Sequence, residues 1–345
     1  MDKVAFITGV TGQDGAHLAE LLIRDGWKVY GGFRRGSSNK TWRLEALGID
    51  KKVNLIECQL SELQNIVEIF QTIRPYHIYN LAGESFVADS FKYPGVALEV
   101  NTIGTLNILE AARLILPDSR LFFASSSEIF SRSKSITACH EDTPCVPLNP
   151  YGISKLAAQN FVNLYRQRYG LFACSGILFN HEGPLRGRQF VTRKITFNLA
   201  RLAVKGGAPI ELGNVNSARD WGSAVDYVKA MRAMLNQPAP RDMVIASGKL
   251  TCVRDFFRTA AIAAGFDPLF DGDGVTEECI DRNTGLKLFQ VSDKYFRPFD
   301  TSPIYGDPSM IERETGWRRS IDLESMITDM VQQDINRWHQ GVTNV

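Results

Sequence analysis

Val4-Ala5-Phe6-Ile7-Thr8-Gly9-Val10-Thr11-Gly12-Gln13-Asp14-Gly15 is the stretch that decides the fold. Its first five residues form a short β-branched and apolar run that reads as a buried strand. A GxxGxxG turn follows, and a helix is predicted from about Asp14 to Arg24. Glycine is needed in such a turn for its tightness, for backbone approach to a pyrophosphate, and for packing the helix against the strand. The helix N-terminus adds amide donors and the positive end of its dipole. With a strand before it and a helix after it, the loop reads as a dinucleotide site rather than an ordinary turn. Gly9, Thr11, Gly12, Gln13, Asp14 and Gly15 are the expected contacts.

Working outward, further strands are predicted at Lys28–Gly32, Val53–Ile56, His77–Leu81 and Arg120–Ala124. Helices fit between them at Leu60–Ile73 and Val96–Leu116, the second with Leu106, Leu109 and Leu114 at helical spacing. Alternation of this kind predicts an α/β fold, a Rossmann-type doubly wound parallel sheet covered on both faces. Beyond about Gly187 the rhythm loosens. A helix is expected at Arg193–Lys205, a short strand near Pro209–Gly213, and a helix at Asp226–Asn236. The acid- and glycine-rich Asp271–Thr284 reads as an exposed connection. A final helix, Leu323–Trp338, carries the apolar stripe Met326, Met330 and Ile335. The expected division is a dinucleotide-binding domain over 1–180 and a smaller mixed α/β substrate domain over 181–345. Segments 214–250 and 288–308 are candidates for crossing back.

Bulk properties exclude several classes. Apolar residues make up 44% and charged residues 22%, which is ordinary for a globular chain, and the net charge of +1 gives no global pull toward nucleic acid or membrane. No apolar stretch has bilayer length. The first residues lack a signal-peptide pattern. Six singly scattered cysteines suit reduced thiols, so a cytoplasmic location is expected. Cys139, His140 and Cys145 lie close together but make a poor zinc set, and no metal is expected.

Strand two ends in Gly32-Phe33-Arg34-Arg35-Gly36-Ser37-Ser38. An acid there would favour NAD, whereas arginine forks and serine hydroxyls suit a 2′-phosphate. NADP is therefore expected through Arg34, Arg35, Ser37 and Ser38, with a solvated basic loop as the bland alternative. Tyr151-Gly152-Ile153-Ser154-Lys155 places a phenol and an ammonium one helical turn apart. The ammonium is expected to lower the phenol's pKa and make it a useful base. Upstream, Ala124-Ser125-Ser126-Ser127-Glu128 ends strand five, where an open parallel sheet binds its ligands. Ser126, Glu128, Tyr151 and Lys155 are thus the expected catalytic group, the alternative being an N-cap serine run with a surface glutamate.

These motifs, with Asn80-Leu81-Ala82, resemble the extended short-chain dehydrogenase/reductase superfamily. Gly176 to Glu182, Phe190 to Ile195, Leu212-Gly213-Asn214, Arg219-Asp220-Trp221-Gly222 and Tyr295-Phe296-Arg297-Pro298 narrow the resemblance to GDP-mannose 4,6-dehydratases over nearly the whole chain. The resemblance implies tightly held NADP, a GDP-sugar substrate and a homotetramer. It implies that Tyr151 takes the proton of the sugar 4-hydroxyl and Glu128 the C5 proton, with Ser126 and Glu128 assisting loss of water from C6. It further implies cofactor contacts at Gln59, Leu60, Leu81, Ala82, His181 and Arg186. Substrate contacts are implied at Ser85, Asn180, Glu182, Val191, Lys194, Gly213, Arg219, Arg297 and Asp300. Phe86, Gly183, Leu185 and Gln59 depart from the family's usual histidine, serine, arginine and aspartate. Two alternatives stand beside this reading: a sugar-nucleotide epimerase or 4-keto reductase on the same scaffold, and a non-catalytic NADP-sensing protein. Glu128 argues against the first, and the intact Tyr151–Lys155 pair against the second.

Overall fold

Short apolar runs alternate with amphipathic stretches along the chain, and the elements follow that rhythm. The computed structural model describes residues 3–34, 41–130, 138–296 and 303–342. Its first half runs β1 (Val4–Thr8), α1 (Gln13–Arg24), β2 (Lys28–Phe33), α2 (Trp42–Ala46), β3 (Asn54–Glu57), α3 (Leu63–Ile73) and β4 (His77–Asn80). Then come α4 (Val87–Lys92), α5 (Pro94–Ala97), α6 (Gly104–Ile115), β5 (Arg120–Ser126), β6 (Ala138–Cys139), α7 (Pro150–Tyr169) and β7 (Phe172–Leu178). The chain continues through β8 (Asn180–Glu182), α8 (Val191–Lys205), β9 (Ile210–Leu212), β10 (Ala218–Ser223), α9 (Ala224–Leu235), β11 (Met243–Ile245) and β12 (Leu250–Cys252). It closes with α10 (Val253–Ala263), β13 (Pro268–Asp271), β14 (Glu278–Asp281), β15 (Lys287–Val291), β16 (Tyr305–Gly306), α11 (Ser309–Thr315) and α12 (Leu323–His339).

Seven strands form one parallel sheet in the order β11-β7-β5-β4-β1-β2-β3. Strand order reverses between β1 and β4, which opens a crevice at their carboxyl ends. One face of the sheet packs Leu18, Leu22 and Ile7 against Val228, Met231 and Leu235 of α9. The other packs Phe6 and Phe123 against Phe70 of α3, Ile108 of α6 and Val162 of α7. A third cluster joins α8, α10 and α12 to the four-stranded sheet β13-β14-β15-β9. The small sheet β12-β10-β8 runs beside it, and β16 pairs with β6. No helix of the described residues is long and apolar enough to cross a membrane.

Three expectations are corrected. The strand predicted to stop at Ala124 runs to Ser126, so Ser125 and Ser126 are held by pairing with β7. The single helix predicted over Val96–Leu116 is broken by a π turn at Leu98–Ile103, which turns Asn101 and Thr102 inward, while Leu114 is exposed. The connection predicted at Asp271–Thr284 contains β14, with Cys279 and Asp281 buried. Its acids are satisfied locally: Glu277 pairs with Arg254, and Asp281 accepts from Thr284 Oγ1 and the Asp267 amide. Residues 271–273 and 282–284 are exposed as expected, while Glu277 and Asp281 are buried.

α12 is tied to the centre of the molecule by charge as well as by Met326 and Met330. Arg193 and Asp334 are both fully buried, joined at 2.9 Å and 2.5 Å. Thr196 and Arg337 also donate to Asp334, each at 2.9 Å. The remaining Arg193 nitrogen donates to the carbonyls of Pro184 and Arg186, each at 2.9 Å. Removing one partner leaves a buried uncompensated charge. Asp334→Ala should therefore lower unfolding stability by about 3–5 kcal/mol in urea titrations. A loss below about 1 kcal/mol would contradict the anchoring role.

Candidate functional site

The crevice between β1 and β4 is fixed by one hydroxyl. Thr8 Oγ1 donates to Asn80 Oδ1 at 2.8 Å and accepts from the amides of Leu81 and Ala82 at 3.1 and 3.0 Å. Asn80 in turn donates to Thr105 at 2.9 Å. The chain leaving β4 is thereby pulled against the Gly9 turn. Gly9 has φ +68°, and a Cβ there would stand 2.9 Å from Ala82 Cα. At Gly15 a Cβ would meet the Gly9 carbonyl at 2.3 Å, so α1 could not approach β1 with any side chain at that position. Gly12 caps α1 without a side chain, leaving its first turn open toward the cleft. These features fit a dinucleotide's pyrophosphate: a glycine cradle, uncapped amides and a helix dipole.

The cleft has a volume of about 650 Å³. Around it the structure gathers Gly9, Gly12, Gln13, Asp14 and Gly15 with Leu81, Ala82 and Ser85. Opposite stand Ser126, Glu128, Tyr151 and Lys155, and then Asn180, His181, Arg186 and Arg219. The other expected residues lie off its walls. Thr11 offers its carbonyl to Arg43 at 3.0 Å. Arg34 is exposed at the end of β2. The Gln59 amide donates to Asn65, its side chain donates to Ser61, and Leu60 lies under α6 with its carbonyl bound by Asn107. Val191 opens α8, and Lys194 Nζ sits 3.7 Å over the Tyr295 ring. The Gly213 backbone passes so close to the Tyr295 carbonyl that a Cβ would come within 2.3 Å. Arg35, Ser37, Ser38, Arg297 and Asp300 lie outside the described residues.

The three consecutive serines have different tasks. Ser125 donates to Gln159 of α7 at 2.6 Å. Ser126 hydrogen-bonds the Tyr151 phenol, and its Oγ accepts from the Glu128 amide at 3.2 Å. Ser127 opens the short 3-10 turn that carries Glu128. Helix α7 begins at Pro150, capped by Asn149, so Tyr151 and Lys155 emerge at its first and second turns. Lys155 Nζ donates to the Ala124 carbonyl at 2.8 Å and stands 5.9 Å from the Tyr151 ring centroid. The expected lowering of the phenol's pKa is not met. Burial pushes Tyr151 up to about 12, although its bond to Ser126 pulls the other way. Burial also brings Lys155 down to about 8, against the opposing charge of Asp14. In the protein alone, then, the phenol is a protonated acid awaiting a reason to ionise.

Asparagines and a histidine complete the site, and the motifs named none of these contacts. Asn101, buried in the π turn, donates to Ser154 Oγ at 2.9 Å and accepts from the Glu84 amide at 3.0 Å. Asn149 Nδ2 donates to Glu128 at 2.7 Å. His181 Nε2 lies 2.8 Å from Asp14, and its Nδ1 2.7 Å from the Phe179 carbonyl. A carbonyl only accepts, so Nδ1 carries a proton. Asp14 is ionised: burial raises its pKa, but the charge and hydrogen bond of His181 outweigh that and hold it at about 2. Burial lowers the His181 pKa, but the charge and hydrogen bond of Asp14 raise it above its ordinary value overall. Glu182 is buried, accepting from Thr192 at 2.6 Å with Arg186 Nε 3.0 Å away. Arg186 lies 3.5 Å over Phe190, whose ring meets Phe86 edge-on at 5.7 Å. Asp220 and Asp226 are engaged with the amides of Ser247, Gly248, Gly306, Ser320 and Ile321. Among the described residues no three His, Cys, Asp or Glu side chains gather as a metal site.

A model of the family described as "GDP-mannose 4,6 dehydratase" matches residues 6–330. The protein of that name from Drosophila melanogaster is 40% identical, over 97% of this chain and 86% of its own length. GDP-mannose 4,6-dehydratase of Vibrio cholerae is also 40% identical, over 97% of this chain and 94% of its own. Among solved structures, UDP-glucose 4-epimerase of Thermotoga maritima superposes with TM-score 0.82 at 20% identity, covering 99% of this chain and 100% of its own. RMD of Pseudomonas aeruginosa, complexed with NADPH, gives TM-score 0.77 at 20% identity, covering 97% and 99%. At such identities the structures establish a shared fold.

The Asp14–His181 pair makes a pH prediction. Asp14 is depressed below 3.8, so its contribution to stability is present above that pH and lost as pH falls toward about 2. For His181 burial lowers the pKa, but Asp14 raises it above 6.5 overall, so its contribution is present below 6.5 and lost as pH rises through the folded value. The pair's full contribution thus lies between pH 3.8 and 6.5. Asp14→Asn should cost about 2 kcal/mol in that window and less on either side, read by denaturation at stepped pH. A pH-independent difference would show that no ion pair forms.

Proposed function

The chain belongs to the GDP-mannose 4,6-dehydratase family, and on that premise we propose that it is a nucleotide-sugar lyase converting a GDP-hexose to its 4-keto-6-deoxy derivative. The observation that carries the reading is Glu128. Its carboxylate stands at the carboxyl end of β5, on the same cleft wall as Ser126, Tyr151 and Lys155. Oxidation at C4 needs the phenol and the ammonium alone. Elimination of water also needs a group that takes the C5 proton and delivers one to the departing C6 oxygen.

The residues that would hold the cofactor are the Gly9–Gly15 turn, Leu81, Ala82, Tyr151 and Lys155. A bound nicotinamide would accept hydride from C4 and return it to C6, and its cationic ring would favour the phenolate. Tyr151 takes the proton of the 4-hydroxyl, relayed through its bond to Ser126. The 4-ketone acidifies C5–H, and Glu128 removes that proton. The C6–O bond then breaks, and Glu128 returns the proton so that the oxygen leaves as water; once hydride has come back to C6, C5 takes up a proton from the site, balancing the one that Tyr151 took from the 4-hydroxyl. Net change is loss of one water, with no external reductant.

We infer NADP rather than NAD because β2 ends in Phe33-Arg34 with no acid to hold a ribose 2′-hydroxyl. We infer that Asn180 and Arg219 face the GDP portion together with Val191, Lys194 and Gly213, whose backbone approach to Tyr295 narrows that end. A homotetramer and a cytoplasmic location belong to the same reading, the latter supported by six free cysteines.

Incubation with GDP-mannose labelled with deuterium at C4 should yield a product one water lighter, with the label at C6 and no consumption of added NADPH. Product that loses the label, or stoichiometric NADPH use, would defeat the assignment in favour of a reductase. Glu128→Gln should still oxidise C4 in a single turnover while product formation falls about 10²–10⁴-fold. For the cofactor, Arg34→Glu should weaken NADP relative to NAD about tenfold in titration calorimetry; an unchanged ratio would remove Arg34 from the 2′-phosphate site.

A further inference from the structure

We propose that Asn149 is a positioning residue that holds the Glu128 carboxylate in the orientation needed for proton transfer at C5. The proposal rests on the dehydratase reading above. Asn149 is the N-cap of α7, in extended conformation with φ −145° and ψ 158°. Its amide has two ends, and the fold gives each a separate partner. Oδ1 accepts from the Gly152 amide at 2.7 Å, satisfying a helix donor that would otherwise lack a partner. That bond fixes the plane of the side chain and turns Nδ2 outward. Nδ2 then donates to Glu128 Oε2 at 2.7 Å, across 21 residues of sequence.

Close backbone packing makes the reach possible. A Cβ on Gly152 would stand 2.3 Å from the Glu128 carbonyl oxygen, so only glycine lets the first turn of α7 lie against the Glu128 turn. Asn149 is itself buried, which keeps water from competing for the contact. Other good caps do not serve both tasks. A serine hydroxyl caps from one short arm. An aspartate caps as well but presents oxygen to oxygen, and two carboxylates at that range repel.

The chemistry follows from an amide N–H being a donor only. It engages Oε2 and so fixes the plane of the carboxylate that takes the C5 proton and passes it to the C6 oxygen. In this step the C5–H bond breaks, its electron pair forms the C5–C6 double bond, and the C6–O bond breaks. The oxygen leaves as water carrying the proton from Glu128. No net electrons enter or leave.

The test compares the wild-type holoenzyme with Asn149→Asp and Asn149→Ser, using GDP-mannose in deuterium oxide. Both variants keep a capping side chain, so both should fold and keep the wild-type KM. C4 oxidation in a single turnover, read as reduced nicotinamide, should persist. Deuterium entry at C5 and kcat for the 4-keto-6-deoxy product should fall about tenfold in each. In Asn149→Asp the acid limb of kcat should also move up by about one pH unit, because a second carboxylate disfavours ionised Glu128. Capping alone would shift the Tm and neither the acid limb nor the split between oxidation and exchange. Wild-type C5 exchange in Asn149→Ser, or oxidation and exchange falling by the same factor in both variants, overturns the proposal. A wild-type enzyme that makes no 4-keto-6-deoxy product sinks the dehydratase reading itself, and this proposal with it.

Discussion

The Thr8 hydroxyl is the contact on which the site depends. Strand order reverses beside it, and the chains leaving β1 and β4 would otherwise diverge with nothing to set their separation. By donating to Asn80 and accepting from the two amides after it, Thr8 fixes that separation to hydrogen-bond accuracy. The glycine turn then fits against Ala82 only because Gly9 lacks a side chain. From there the sheet carries the geometry across: β5 lies beside β4, and β7 beside β5, so Glu128 and His181 both line the same crevice.

Much of this was legible in the sequence, because strand period, glycine spacing and YxxxK are local patterns. The strands of the first half fall within a residue or two of their expected places, and the resemblance named the family that the comparisons bear out. What was not legible has a common cause. Asp14 meets His181 across 167 residues, Asn149 meets Glu128 across 21, and Asn101 meets Ser154 across 53. No spacing rule links such positions, since each pairing is made by the sheet order. Glu277 and Asp281 were missed for a related reason: an acid in a polar run reads as surface unless its partner is known. The phenol's pKa was misjudged because i, i+4 proximity was taken for contact, whereas Lys155 turns to the Ala124 carbonyl instead.

Charge in this site is distributed by burial as much as by pairing. Tyr151 and Lys155 are each driven toward their neutral forms by the same enclosure, while the ion pair of Asp14 and His181 holds its charges beside them. The enclosed protein therefore stores an unreactive phenol next to a weakened ammonium. A positive charge brought into the cleft would favour the phenolate and further disfavour the ammonium, so the phenol's readiness is conditional on what occupies the site.

The buried bond between Arg193 and Asp334 has a consequence for how the molecule comes into being. Its partners are 141 residues apart, and Arg193 also carries the carbonyls of Pro184 and Arg186. During synthesis the parallel sheet, apart from its edge strand β11, is complete once β7 has emerged, but the Arg193 guanidinium that holds the Pro184 and Arg186 carbonyls lacks its carboxylate until residue 334 is made. The nascent chain thus passes through a stage with the glycine cradle and the catalytic side chains made but the Arg193 anchor incomplete. Long-range closure of this kind is slow relative to local folding. The last steps of assembly, rather than the first, complete that anchor.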